Sequence, residues 1–195
     1  MNDVPYQYQP ADGCCVPSAL INCLVTMFDA SQIPATVIGA IYHHALDHPK
    51  CRRTTSVAIE EIANDIDRIG CERPPRKGTF SCSAQYLSGE QVTLAENGLI
   101  AGAVRRGGTA MLLLSWPHSV RHAVTALGMD RKYVHCFDPM LRKRYSKQAG
   151  CTFLRKPSST HAPNLKIERA WLEQTTGRLY SLGPIRSREA VIVEP

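Results

Sequence analysis

The sequence predicts an α+β protein, with its helices first and an antiparallel sheet after them. Apolar residues recur at helical spacing through the first hundred positions. Beyond Gly107-Gly108 the texture changes to short apolar runs of strand length. Two of those runs flank Gly128-Met129-Asp130-Arg131, a connection of hairpin length rather than a parallel crossover.

The elements follow in order. The first dozen residues, with Pro5 and Pro10, read as an extended lead-in. From Val16, Ala19, Leu20, Cys23, Leu24 and Met27 mark a helix that ends near Asp29, with Pro17 in its first turn, where a missing N–H costs nothing. A second helix is expected from Ala35 to Asp47 and a third from Ser56 to Ile69. The third would be capped by Thr54 or Thr55, striped by Val57, Ile59, Ile62, Ile66 and Ile69, and stopped by Gly70. Residues 72–78 read as loop, and a fourth helix is expected over Glu90–Val104. Strands are expected at Thr109–Ser115, His122–Leu127, Tyr133–Phe137 and Ala190–Glu194, with Tyr145 and Phe153 marking a further short pair.

Bulk composition narrows the function classes. A chain of 195 residues suits one domain with a real core, and 44% hydrophobic with 21% charged residues is the balance of a globular protein. No apolar run approaches the roughly 20 residues of a membrane-spanning helix. The N-terminus shows no apolar signal region, and eight cysteines in 195 residues, about 4%, are too few for a secreted disulfide scaffold. The expected setting is a reducing one, the cytoplasm, with which a secreted or injected effector is also compatible. The net charge of +6 comes from short groups (Arg52-Arg53, Arg105-Arg106, Arg142-Lys143-Arg144) without interleaved aromatics. That pattern reads as a solvated basic surface, and no nucleic-acid partner is expected.

Chemistry concentrates on four residues. Cys15 opens the first helix, where free N–H groups and the macrodipole favour a thiolate. On position alone a buried structural cysteine is the better explanation. If the hairpin is symmetric about Asp130, His122 lies directly opposite Asp138, followed on the same face by the apolar pairs Val124–Cys136 and Ala126–Val134. A carboxylate beside an imidazole fixes its tautomer and supports its charged form, which a nucleophilic cysteine's partner requires. A one-residue slip would destroy this pairing. Gln9 can donate its amide to a developing oxyanion together with the Cys15 backbone N–H; a solvent-exposed glutamine is the plainer reading, with Gln7 close by.

These segments resemble a known family. Gln9-Pro-Ala-Asp-Gly-Cys-Cys-Val-Pro-Ser-Ala-Leu20 is similar to the nucleophile segment of papain-like cysteine peptidases, with glutamine six residues before the cysteine. More closely, Cys15-Val-Pro-Ser-Ala-Leu resembles the Cys-Gly-Pro-Thr-Ala-Leu pattern of the bacteriocin-leader-processing (double-glycine) peptidases and their stand-alone relatives. Arg121-His-Ala-Val-Thr-Ala-Leu-Gly-Met-Asp130 followed by Tyr133-Val-His-Cys-Phe-Asp-Pro139 resembles that family's histidine strand, turn and Asp-Pro block. The likeness spans Gln9 to Pro139.

The resemblance implies one papain-like domain over residues 1–195, its N-terminal helices packed on a C-terminal antiparallel sheet. It makes Cys15 the nucleophile, His122 the general base and acid, Asp138 the orienting acid and Gln9 the oxyanion donor. The implied activity is peptide-bond hydrolysis through a thioester, on a peptide or protein substrate, with no cofactor or metal. The alternatives are an acyltransferase or deamidase using the same triad, or a catalytically silent domain that binds a peptide or partner. Val16, standing where the family usually has glycine, supports the silent alternative, and Cys14 is a neighbour that a one-residue shift would exchange with Cys15.

Other candidates carry less. His44, His48 and Cys51 have metal-ligand spacing but need a fourth ligand from elsewhere, and are read as two surface histidines and a loop cysteine. Cys71 and Cys82 bracket a loop without requiring a disulfide. Trp116 and His118 are candidates for lining the cleft, and Arg121 is expected to face away from His122 on the surface.

Overall fold

The structure, a computed structural model, describes residues 6–46, 54–72, 79–117, 120–142, 147–154, 159 and 161–195. Three helices come first: α1 (Cys15–Met27), α2 (Ala35–Leu46) and α3 (Ser56–Cys71). Then follow β1 (Ser83–Ser88), α4 (Leu99–Arg105), β2 (Thr109–Trp116), β3 (Val120–Met129), β4 (Tyr133–Phe137), β5 (Cys151–Phe153), β6 (Leu165–Glu168), α5 (Arg169–Leu172) and β7 (Glu189–Glu194). The strands form one antiparallel sheet in the order β1-β7-β2-β3-β4-β6-β5. This is the α+β arrangement expected. Among the described residues no helix is long and apolar enough to cross a membrane.

Both faces of the sheet are covered. On one, α1–α3 bury Leu20, Leu24, Ile41, Ile59, Ile62 and Ile66 against Met111, Leu113, Ala123 and Phe137. On the other, α4 and the C-terminal segment bury Ile100, Leu172, Tyr180 and Leu182 against Leu112, Leu114, Val124 and Cys136. A strand buried on both faces loses polar–apolar alternation, which is why β2 reads as a continuous apolar run. Helix α1 is tied down by polar contacts as well. Thr125 Oγ1 donates to the Ala19 carbonyl at 2.8 Å, and Thr109 Oγ1 to that of Cys23 at 3.5 Å.

Several element boundaries differ from expectation. The fourth helix is only α4; residues 92–98 run irregularly, because Glu173 accepts hydrogen bonds from Thr93 Oγ1 and the Leu94 N–H and Arg188 takes the Val92 carbonyl. Those long-range partners replace the helical ones. Gly70 does not end α3 but lies inside it, where a Cβ would sit 2.2 Å from the Cys82 carbonyl oxygen. It is a close-approach glycine rather than a cap. Val57 is 65% exposed, so the buried stripe of α3 begins at Ile59. Strands β1 and β6 were not anticipated. Phe153 lies in β5, which pairs with β6; Tyr145, its expected partner, lies outside the described residues.

Candidate active site

The site begins with the lead-in, which local chemistry holds in place. Asn22, fully buried on α1, accepts the Gln7 N–H at 2.7 Å and donates to the Gln7 carbonyl at 3.0 Å. Two residues on, the Gln9 N–H donates to the Pro139 carbonyl at 2.8 Å. The lead-in thus bridges α1 and the Asp138-Pro139 segment. Gly13, at φ 91°, makes the left-handed turn that delivers the chain into α1. Cys14 is the N-cap and Cys15 the first helical residue, which settles their places: Cys15 lines the cleft and Cys14 does not.

The hairpin brings His122 and Asp138 together by a route other than the expected one. Strands β3 and β4 pair Thr125 with Phe137 and Ala126 with Cys136; past a bulge, Gly128 pairs with His135 and Met129 with Val134. Val124–Cys136 and Ala126–Val134 are therefore not partners, and His122 is not directly opposite Asp138. The turn is centred beyond Asp130, because the Asp130 carboxylate accepts the N–H groups of Lys132 and Tyr133 at 2.8 and 2.7 Å. On the His122 side of the bulge the resulting slip is of two residues, and an even slip leaves the side chains there on their original faces. Asp138 becomes a diagonal neighbour of His122, within side-chain reach.

His122 Nε2 donates to Asp138 Oδ1 at 2.7 Å, with both residues almost fully buried. Its remaining nitrogen is left for Cys15, whose thiol hydrogen-bonds to His122. Burial opposes a thiolate at Cys15. The His122 hydrogen bond and charge, with the backbone N–H groups of Ala123 and Val16, overcome it and hold the thiol below its ordinary range. Burial likewise opposes a charged His122, but Asp138 and Cys15 raise its pKa to about 9. Four other thiols behave oppositely. Burial pushes Cys23, Cys82 and Cys151 up to about 12, and Cys136 higher still. Cys15 is set apart by its partner and not by its burial.

Asp138 is itself tightly held. Burial works against its charge, yet His122, Tyr180 and the Met140 N–H keep its pKa below the usual value. Oδ1 also accepts the Met140 N–H at 2.9 Å, and Oδ2 accepts the Tyr180 hydroxyl and Arg142 Nη2, the latter at 3.1 Å. Asn164 clamps the backbone, accepting the Asp138 N–H at 2.7 Å and donating to its carbonyl at 2.9 Å. Tyr180 is fully buried at φ 63°, a left-handed conformation that a non-glycine residue adopts only under constraint. The Arg142 guanidinium also donates to the Tyr180 hydroxyl and lies over the rings of Phe153, Trp116 and Tyr180 at 4.7, 5.4 and 5.5 Å. The Trp116 ring sits 4.7 Å from that of His122 and screens the His–Asp pair. Sequence reasoning missed Tyr180, Arg142 and Asn164 as parts of the site. Only the positive charge of Arg142, four residues after Asp138, was a local signal.

In front of Cys15 lies a cavity of about 710 Å³, lined among others by Gln9, Val16, Leu113, Trp116 and His122. Gln9 therefore lines the same cavity as Cys15 and His122, while Gln7 is exposed. The side chain of Val16 is 3% exposed and forms part of the wall. Arg121 faces away from His122 but is not a free surface residue: its Nη1 donates to Glu189 Oε1 at 2.9 Å within the cavity wall. His44 is engaged by Glu61 and Asp65, at 3.1 Å each. His48, Cys51, His118, Arg52, Arg53, Lys143 and Arg144 lie outside the described residues. No group of three metal-ligating side chains occurs among the described residues.

No protein-family model matches the sequence, and no curated protein matches it either.

Proposed function

We propose that the chain is a cysteine peptidase with a papain-like fold, of the kind its Gln9–Leu20 and Arg121–Pro139 segments resemble. The observation that carries this reading is the chain of contacts from the Cys15 thiol through His122 to a buried, multiply hydrogen-bonded Asp138 carboxylate. A lone structural cysteine needs no such support.

The Cys15 thiolate attacks the carbonyl carbon of a peptide bond, and the C=O electron pair moves onto oxygen. In this reading the N–H groups at the start of α1 and the side-chain amide of Gln9, which lines the same cavity, donate to that oxyanion. As the tetrahedral species collapses, the C–N bond breaks and the His122 imidazolium passes its proton to the departing amine. The thioester is then attacked by water, whose proton goes to His122, and the acid product leaves with the thiolate–imidazolium pair restored. Asp138 remains ionised throughout, orienting the ring and stabilising its charge.

The test is cleavage of a peptide library by the wild-type protein beside Cys15→Ala, with products identified by mass spectrometry. Cys15-dependent cleavage is expected. Cys15-dependent ammonia release or amine incorporation without cleavage would reassign the same apparatus to deamidation or acyl transfer. Absence of all three would reject an enzyme.

A further inference from the structure

Unsatisfied buried polar atoms are rare in native proteins, and each calls for a physical reason. Among the described residues five side-chain atoms are buried without a hydrogen-bond partner: Gln9 Oε1, Thr54 Oγ1, Arg121 Nη2, Glu189 Oε2 and Arg142 Nε. The first four belong to residues lining the one cavity in front of Cys15. Such clustering makes the missing partner a ligand of that cavity.

Sheet register locates the polar end. Glu189 on β7 pairs with Leu113 on β2, which pairs with Ala123 on β3, whose backbone N–H meets the Cys15 thiol. Glu189 thus lies two strand spacings, roughly 10 Å, across the sheet from the floor beneath the nucleophile. Its Oε1 is occupied by Arg121 Nη1 and by Ser56 Oγ at 2.7 Å. What remains is one acceptor, Glu189 Oε2, and one donor, Arg121 Nη2, flanked by the Thr54 hydroxyl, on an ion pair that is neutral as a whole. A cationic substrate side chain would meet the Arg121 charge, and an anionic one the charge of Glu189. An aliphatic one would leave both atoms unpaired. A primary carboxamide fits, with its oxygen taking the Arg121 donor and its NH2 serving the Glu189 acceptor.

We infer that Arg121, Glu189 and Thr54 form a specificity subsite for a glutamine or asparagine side chain of the peptide substrate, at a residue near the one that acylates Cys15. This rests on the peptidase reading for the identity of the ligand as a peptide, but its test does not require turnover. A library of N-acetylated hexapeptide N-methylamides, each position randomised in turn, is selected for binding to the Cys15→Ala protein. Glutamine or asparagine is expected at one position, enriched roughly tenfold or more over glutamate, lysine and leucine. In the Arg121→Met/Glu189→Met variant that enrichment is lost and an aliphatic residue is favoured there. Should this variant fail to fold, N,N-dimethylation of the peptide carboxamide removes the donor instead and is expected to abolish the enrichment on the unaltered cavity. Enrichment of lysine or arginine, of glutamate or aspartate, or of no polar residue overturns the inference. Cys15-dependent cleavage without carboxamide preference overturns it while leaving the peptidase standing. Carboxamide-dependent binding without cleavage upholds the subsite and rejects the peptidase.

Discussion

The two sides of His122 are built on opposite plans. Behind the imidazole, the Asp138 carboxylate has four side-chain or backbone donors and a clamped backbone, and aromatic rings close over it. In front, the cavity wall holds four buried polar atoms with nothing to bond. A densely bonded network is rigid, and although Arg142 Nε there has no partner, the rear wall holds the imidazole in one orientation. An unsatisfied front wall is costly alone and favourable once filled. On the proposed peptidase reading, the difference separates the part that prepares the nucleophile from the part that selects what reaches it.

Breaking the rear wall has the largest expected effects. His122→Ala should reduce peptide turnover to background, a loss on the order of 10⁴-fold or more, because the thiol then loses both its base and the charge that favours thiolate. Asp138→Asn should cost on the order of 10²-fold, since an amide oxygen can still orient the imidazolium but no longer stabilises its charge; steady-state assays beside a thermal melt separate this from unfolding. At the front, Gln9→Ala should lower kcat by roughly 10²-fold by removing one oxyanion donor, with little change in the rate of Cys15 alkylation.

Tyr180→Phe is a milder break in the rear wall. Losing the hydroxyl weakens the hold on the Asp138 charge, so the thiolate should become harder to form. The acid limb of the alkylation pH profile should move upward, which a purely structural loss would not do. In the wild type, reactivity needs thiolate and imidazolium together. It should fall as pH drops through the lowered Cys15 value, and turnover should fall again as pH rises through the His122 value near 9. Effects on stability are the smallest. The raised His122 pKa gives stability that is complete below about 6.5 and is lost as pH rises through about 9. The lowered Asp138 pKa gives stability present above its ordinary value and lost as pH falls through the folded one. Thermal melts across pH should show a maximum between those limits.

Four residues of the site were legible because each carries a local signal. Cys15 stands at a helix start, Gln9 at a fixed distance before it, and His122 and Asp138 at the ends of two apolar strands. The register was misread because it depends on the Asp130 turn and a bulge near Leu127, features of backbone hydrogen bonding that no side-chain pattern announces. The site survived the misreading only because the slip was even. Tyr180 and Asn164 were illegible for a different reason: they meet Asp138 across 42 and 26 residues of chain. Arg121 was read as surface because alternation gives the direction of a side chain but not what waits there, and Glu189 comes from the last strand. In the fold, α4 was overextended because helical apolar spacing over 90–104 says nothing of Glu173 and Arg188, which hold residues 92–94 out of a helix.

The central claim is that His122 makes Cys15 the reactive thiol among eight cysteines, although Cys15 is one of the four that are buried among the seven described. Iodoacetamide at pH 6, with the modified residues mapped by mass spectrometry, tests it most directly. Rapid labelling of Cys15 alone, abolished in His122→Ala, is the expected result. Slow and uniform labelling of all accessible thiols, or Cys15 labelling unchanged in His122→Ala, would contradict the account.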